Sequence, residues 1–250
     1  VGFEKAGIFR AGKPALCGDL NPPHTLLDKA EELGCPLFLR GRDFDLASAD
    51  QVWHWRGQDA QGQLIELRDI PLLDLPMENA ALAVPAYGLT DLPWQPERIV
   101  AALAGTRITG RLDRRQFSWK GKPLHILLDV GHNPHAAEYL ARRLAQRPVA
   151  GKRLAVFGLL ADKDLDGVVS QLAPVVAHWA VAPLNTGRTR PAAELQGPLQ
   201  DLGAPVSVFA SVEAALEAQC EQATGQDEIL LFGSFYCVAE ALEWLQRRAT

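Results

Sequence analysis

No glycine-rich phosphate cradle occurs in this chain: neither G-x-G-x-x-G nor a complete G-x-x-x-x-G-K-[ST] can be read anywhere along it. That argues against an ordinary dinucleotide-binding turn and against a self-contained P-loop. Gly12-Lys13 and Gly121-Lys122 are each followed by proline, not by the hydroxyl that such a loop needs for Mg²⁺. Cysteine is sparse and scattered. Cys17, Cys35, Cys220 and Cys237 form no C-x-x-C, so neither a zinc site nor a disulfide framework is expected, and a reducing cytoplasm fits. No apolar run is long enough for a membrane span, and no signal-peptide pattern is present. The net charge of -5 gives no support for nucleic-acid or anionic-membrane partners. The small basic cluster Arg111, Arg114 and Arg115 reads, by charge alone, as a solvated face. An initiator methionine is also missing: the chain opens at Val1 and its one methionine is Met77, which suggests a fragment beginning inside a longer protein.

What is present is a chain 48% apolar, enough to bury a core. Its most informative stretch is HILLDVGHNPHAAEYLARRLA, from His125 to Ala145. An apolar run ends in Asp129, His132, Asn133, Pro134 and His135, and a helical pattern follows at once. Polar groups at such a strand-to-helix junction lie where open α/β sheets bind ligands.

From residue 124 onward the pattern alternates. Strands are expected at Ile126–Val130, Leu154–Leu160, His178–Leu184, Val206–Ala210 and Ile229–Gly233. Helices are expected at Ala136–Ala145, Leu165–Ala173, Ala192–Leu202, Val212–Ala223 and Val238–Arg248, with Asp164 and Ser211 as N-caps and Gly203 as a stop. This alternation predicts an α/β fold with a mostly parallel sheet and flanking helices. The first part predicts short strands at Pro14–Asp19, Leu37–Phe44, Val52–Arg56 and Leu64–Ile70, with a hairpin connection from Gly57 to Gly62. Its helices are Thr25–Leu33, Met77–Tyr87 broken near Pro85, and Pro96–Ala104. Gly and Arg dominate between Gly105 and Pro123, so the boundary falls there, giving domains 1–110 and 111–250.

A doubly wound domain would line one edge with Asp129, His132, Asn133 and His135, then Asp162, Lys163 and Asp164, then Asn185, Arg188 and Arg190, then Ser234. That mixture suits a small zwitterion or a phosphorylated ligand. Each residue also has a plainer reading. Asp129 alone reads more readily as a turn residue or cap. Asp162-Lys163-Asp164 reads as a charged cap, and Ser234 as a helix start. His132 and His135 lack a third metal ligand at suitable spacing. Lys5 beside Glu4 reads as a surface pair, although a neutral buried lysine could form a Mg²⁺-binding carbamate.

Several segments, taken in order, carry a resemblance: EKAGIFR, GKPA, CGD, MENAALA, TGR, LDVGHNPHAAEYL, GLLADKD and FGSFYCVAE. Together they resemble the bifunctional dihydrofolate synthase/folylpolyglutamate synthase family, the folate branch of the Mur ligases, over essentially the whole chain. The resemblance implies a carboxy-terminal Rossmann-like domain preceded by the remainder of a P-loop-type α/β ATPase domain. It implies an ATP- and Mg²⁺-dependent ligase that joins L-glutamate to dihydropteroate or to the γ-carboxylate of a folate through an acyl phosphate. Lys5 matches the family's carbamylated, metal-holding lysine, and Asn79 and Arg111 match its ATP contacts. Asp129 matches a residue of the nucleotide and glutamate region. His132 and Ser234 match glutamate-side positions, with His132 also a catalytic candidate. The implied partners are these small molecules, with the protein a cytoplasmic monomer. The family's own glycine-rich loop has no counterpart here, so the chain alone is expected to bind ATP poorly and not to turn over. The competing reading is a non-catalytic α/β nucleotide- or glutamate-binding module. A cell-wall ligase fits EKAGIFR and GKPA less well, and an oxidoreductase lacks its glycine turn after Val130.

Overall fold

The computed structural model describes residues 2–49, 51–58, 62–90 and 92–248. The chain divides into two compact units, Val1–Arg107 and Ile108–Thr250.

In the first unit, α1 (Gly2–Ala6), β1 (Ala15–Cys17), α2 (His24–Glu32) and β2 (Leu37–Leu39) form a small motif whose strands pair in parallel. It packs around Ala6, Cys17 and Leu26. A three-stranded antiparallel meander follows, of β3 (Phe44–Ala49), β4 (Val52–Gln58) and β5 (Leu64–Pro71). Helices α3 (Met77–Gly88) and α4 (Pro96–Gly105) join its core, centred on Trp53, Trp55, Ile70 and Val84.

Two expectations need correction here. The run Leu37–Phe44 is two strands, because Gly41 (φ 86°) turns the chain after Leu39. The helix at Met77 is not broken at Pro85. Proline removes the N–H that would reach the carbonyl four residues back. That carbonyl, on Ala81, instead accepts the Trp55 indole N–H at 2.9 Å. The short helix α1 was not anticipated. Residues 59–61 of the expected hairpin connection lie outside the described residues.

The second unit carries β6 (Asp113–Trp119), β7 (Lys122–Asp129), α5 (Pro134–Ala145), β8 (Arg153–Phe157), α6 (Leu165–Leu172), β9 (His178–Val181), α7 (Ala192–Asp201), β10 (Val206–Val208), α8 (Val212–Gln222), β11 (Glu228–Phe232) and α9 (Phe235–Arg248). Its six-stranded sheet has the order β10-β9-β8-β11-β7-β6, parallel except for β6. The sheet strands are rich in Leu, Ile and Val because both faces are covered. Leu127, Ala155, Phe157 and Phe232 pack with α5, α6 and α7 on one face. Ile126, Leu128, Val156 and Leu231 pack with α8 and α9 on the other.

Strand β6 was missed because Asp113–Trp119 has only two apolar residues, Phe117 and Trp119, and they alternate toward one face. Its turn to β7 is Lys120-Gly121, with φ of 51° and 80° at the two positions. Both φ values are positive, as in a two-residue hairpin turn. Trp119 stacks on Trp244 of α9, with centroids 5.4 Å apart, and this fastens the hairpin to the helix layer.

The strand order positions a crevice. From β7 the chain moves outward through β8, β9 and β10 with its helices on one face. It then returns through α8, on the other face, to insert β11 between β7 and β8. The chain therefore leaves β7 and β11 toward opposite faces, and such a reversal opens a crevice at the strands' carboxyl ends.

Candidate functional site at the carboxyl edge of the six-stranded sheet

Five helices, α5 to α9, begin at this edge, and four of them have a side-chain cap, Ser211 accepting the Ala214 N–H at the head of α8. Asn133 accepts the Ala136 N–H at the head of α5. Asp164 accepts the Gly167 N–H at the head of α6. Ser234 accepts the Tyr236 N–H at 3.1 Å at the head of α9. Helix N-termini carry partial positive charge, so the edge favours anions. Gly233 allows the β11 end to come this close to β8. Its φ is 108°, and a Cβ there would stand 2.5 Å from the Gly158 carbonyl oxygen.

Asp129 closes β7 and is 8% exposed. One carboxylate oxygen accepts the Leu112 N–H at 3.0 Å and the other the Gly131 N–H at 2.7 Å. Burial pushes its carboxyl above the ordinary aspartate value, against the pull of both amide donors and of the Arg111 charge. The two amides belong to the two segments that carry Arg111 and His132. Leu112 holds φ 43°, and Gly110 before it holds φ 72°. A left-handed Leu is uncommon and needs surrounding support, which the Asp129 bond supplies. Arg111 projects from this turn and is exposed.

His132 is half-buried. Its Nδ1 lies 3.0 Å from the Val130 carbonyl. That contact requires a proton on Nδ1 and leaves Nε2 as the acceptor in the neutral ring. The imidazole lies 6.4 Å from the Phe235 ring, and the Arg111 guanidinium 5.9 Å from the same ring. Ser234, next to Phe235, is 2% exposed. Arg111, Asp129, His132 and Ser234 are thus brought to one edge. Sequence reasoning missed Phe235, which stood in FGSFYC only as the residue after the serine. An aromatic directly after a strand-end Gly-Ser, off the helix's buried stripe, was the available signal.

The remaining candidates are placed differently. Lys163 and Arg188 both pair with Asp162, at 2.9 and 2.8 Å, and hold its carboxyl down at about 2. Arg190 donates to the carbonyls of Ala161 and Lys163, so it braces the loop. Asn185 gives its backbone N–H to Glu240 at 2.9 Å. His135 is exposed on the first turn of α5. In the first unit, Lys5 lies 3.8 Å from Glu4 with its side chain 69% exposed. Asn79 is exposed near the start of α3. Among the described residues there is no group of three or more His, Cys, Asp or Glu that could hold a metal ion. The four cysteines are free, and no helix among the described residues is long and apolar enough to cross a membrane.

Known proteins share both the sequence and this architecture. The family described as Mur ligase, glutamate ligase domain, matches residues 110–235. The dihydrofolate synthase/folylpolyglutamate synthase of Escherichia coli strain K12 is 38% identical over 248 residues, covering 99% of this chain and 56% of that protein. A solved structure of E. coli FolC with DHPP and ADP superposes with a TM-score of 0.85 at 37% identity, over 100% of this chain and 57% of that one. A bifunctional folylpolyglutamate synthase/dihydrofolate synthase structure with Mn, AMPPNP and L-glutamate bound gives a TM-score of 0.83 at 35% identity, over 98% and 56%. The chain therefore spans a little over half the length of these relatives. The matched domain begins at the turn that carries Arg111 and ends at Phe235, so it encloses the crevice just described, and the chain belongs to the Mur ligase family.

Proposed function

We propose that the protein carrying this chain is an ATP-dependent ligase that couples L-glutamate to dihydropteroate, to the γ-carboxylate of a folate, or to both. One observation carries the reading. Arg111, His132 and the capped head of α9 meet at the carboxyl ends of β7 and β11, neighbouring strands from which the chain departs toward opposite faces. Relatives of similar sequence bind ADP, DHPP or L-glutamate, which favours the same ligand classes here.

The chemistry runs in two steps. A carboxylate oxygen attacks the γ-phosphorus of ATP, the bond to ADP breaks, and an acyl phosphate forms. The amine nitrogen of glutamate then attacks the acyl carbon, and the carbon–oxygen bond to phosphate breaks as the amide forms. The first step gathers negative charge on the transferring group, which the Arg111 guanidinium and the helix N-termini would offset. In the second, the amine must lose protons. Nε2 of His132 would accept one, since Nδ1 is committed to the Val130 carbonyl. Ser234 holds the α9 N-terminus in place for the glutamate carboxylates. Asp129 fixes the segments bearing Arg111 and His132. Asn79 is assigned to the nucleotide and Lys5, as a carbamate, to a divalent cation. These two assignments rest on the family pattern. The 250 residues contain no complete phosphate-cradling loop, so we assign turnover to the protein that supplies one.

The test is product formation by the full-length protein that carries this chain. Dihydropteroate or a folate, with L-glutamate and ATP, should give one new amide per ADP. Ligand binding without amide formation would instead support a non-catalytic binding module.

A further inference from the structure

Phe235 is a large apolar side chain left 60% exposed at the head of α9. Core packing does not account for it. The buried stripe of α9 is Cys237, Val238, Ala241, Trp244 and Leu245, and Phe235 lies off that stripe. The ring has two polar neighbours instead. The Arg111 guanidinium carbon sits 5.9 Å from its centroid, and the His132 imidazole sits 6.4 Å away at 52°. A guanidinium within about 6 Å of an aromatic centroid is attracted to the ring quadrupole. Arg111 and His132 come from opposite ends of the β6–β7 hairpin, while Phe235 follows β11. The ring thus joins two side chains that the backbone alone does not hold against each other.

We propose that Phe235 is a positioning residue, one aromatic platform that holds Arg111 over its ring and sets its spacing to His132. This deepens the ligase reading and rests on it for its functional meaning. The group proposed for the phosphoryl charge and the group proposed for the glutamate amine thus border the same ring. The backbone end of each arm is set by Asp129, through Leu112 and Gly131. Phe235 would set the side-chain end.

The test uses the full-length protein with three forms of position 235: wild type, Phe235→Leu and Phe235→Tyr. The first readout is ¹⁵N relaxation of the Arg111 side-chain Nε–H without ligands, which needs no activity. The leucine form should lower the ordered population of that side chain by about two- to fivefold. The tyrosine form should restore it, and the thermal unfolding midpoint should stay the same in all three. The second readout is the double-mutant cycle of Arg111→Ala and His132→Ala in amide formation. The two losses should be coupled on the wild-type ring and additive on the leucine form. Equal Arg111 order in wild type and Phe235→Leu would overturn the proposal. So would loss of order in the leucine form that tracks a lowered unfolding midpoint and is not rescued by tyrosine. If no amide forms even in wild type, the ligase reading fails, while the relaxation result still decides whether Phe235 positions Arg111.

Discussion

The two units bury their apolar residues in different ways, and the difference decides what each can say about function. Ile108–Thr250 has one sheet of six strands, helices on both faces and two extensive clusters of buried side chains. Val1–Arg107 divides its apolar residues between a two-stranded parallel pair and a three-stranded meander, each with a smaller cluster. In the larger unit, strand order fixes where loops end, so residues far apart in sequence arrive at one edge with defined partners. In the smaller unit, Lys5 and Asn79 sit exposed on helices, Lys5 beside Glu4. Their assignment rests on the family pattern, whereas that of Arg111, His132 and Ser234 also rests on geometry.

The largest effect that would break this contrast is expected at Asp129. Replacing it with Ala leaves the Leu112 and Gly131 amides without their acceptor and frees both segments of the site. Amide formation should fall on the order of 100-fold, the scale of a misplacement of about 1 Å. The folded state should survive by circular dichroism. Near-normal turnover would remove Asp129 from the account. Core substitutions sharpen the comparison next. Trp244→Ala and Trp53→Ala each empty a buried site, in different units. Each should cost about 3–5 kcal/mol. Denaturant curves should show each loss in its own unit, Trp244→Ala in the larger and Trp53→Ala in the smaller. Identical effects on a single transition would mean that the units do not unfold separately.

A smaller effect follows from the raised carboxyl of Asp129. In the folded state it keeps its proton to higher pH than in the unfolded chain. Stability from this group therefore falls as pH rises from the ordinary aspartate value through the raised one. The wild-type advantage over Asp129→Asn in unfolding free energy should shrink across that window, and an advantage that grows would contradict the sign. Least affected should be the stability of Lys5→Ala, because exposed ion pairs contribute little, about 0–1 kcal/mol. Its role is tested by metal-dependent activity: a clear loss sharpens the carbamate assignment, and none leaves Lys5 a surface residue. Cysteine labelling makes a last check on the cores. Burial pushes the Cys220 and Cys237 thiols up to about 12, so a thiol reagent should reach Cys35 well before either.

Much of the larger unit was legible because its signals are local. Apolar runs bounded by caps are enough to mark β7, β8 and β11, and Asp164 and Ser211 cap α6 and α8 as their place before a helical pattern implies. What stayed hidden depends on residues remote in sequence. Strand β6 has a polar outer face and is completed by pairing with β7 and by the Trp119–Trp244 stack. Helix α3 runs through Pro85 because an indole from β4 takes the stranded carbonyl. Asp129 could be marked as a ligand or as a turn residue. That its two oxygens each tie down a different segment is visible only once β6 lies beside β7. Phe235 was overlooked for the same reason, since its neighbours come from another hairpin.

Isotope transfer distinguishes ligation through an acyl phosphate from a route in which the carboxylate oxygen stays with the product. The full-length protein is supplied with ATP, L-glutamate and dihydropteroate labelled with ¹⁸O in its carboxylate, or a folate labelled in its γ-carboxylate. Each phosphate released should carry one ¹⁸O, brought over when the acyl–oxygen bond breaks. Phosphate released with amide formation but without label would contradict the acyl-phosphate route.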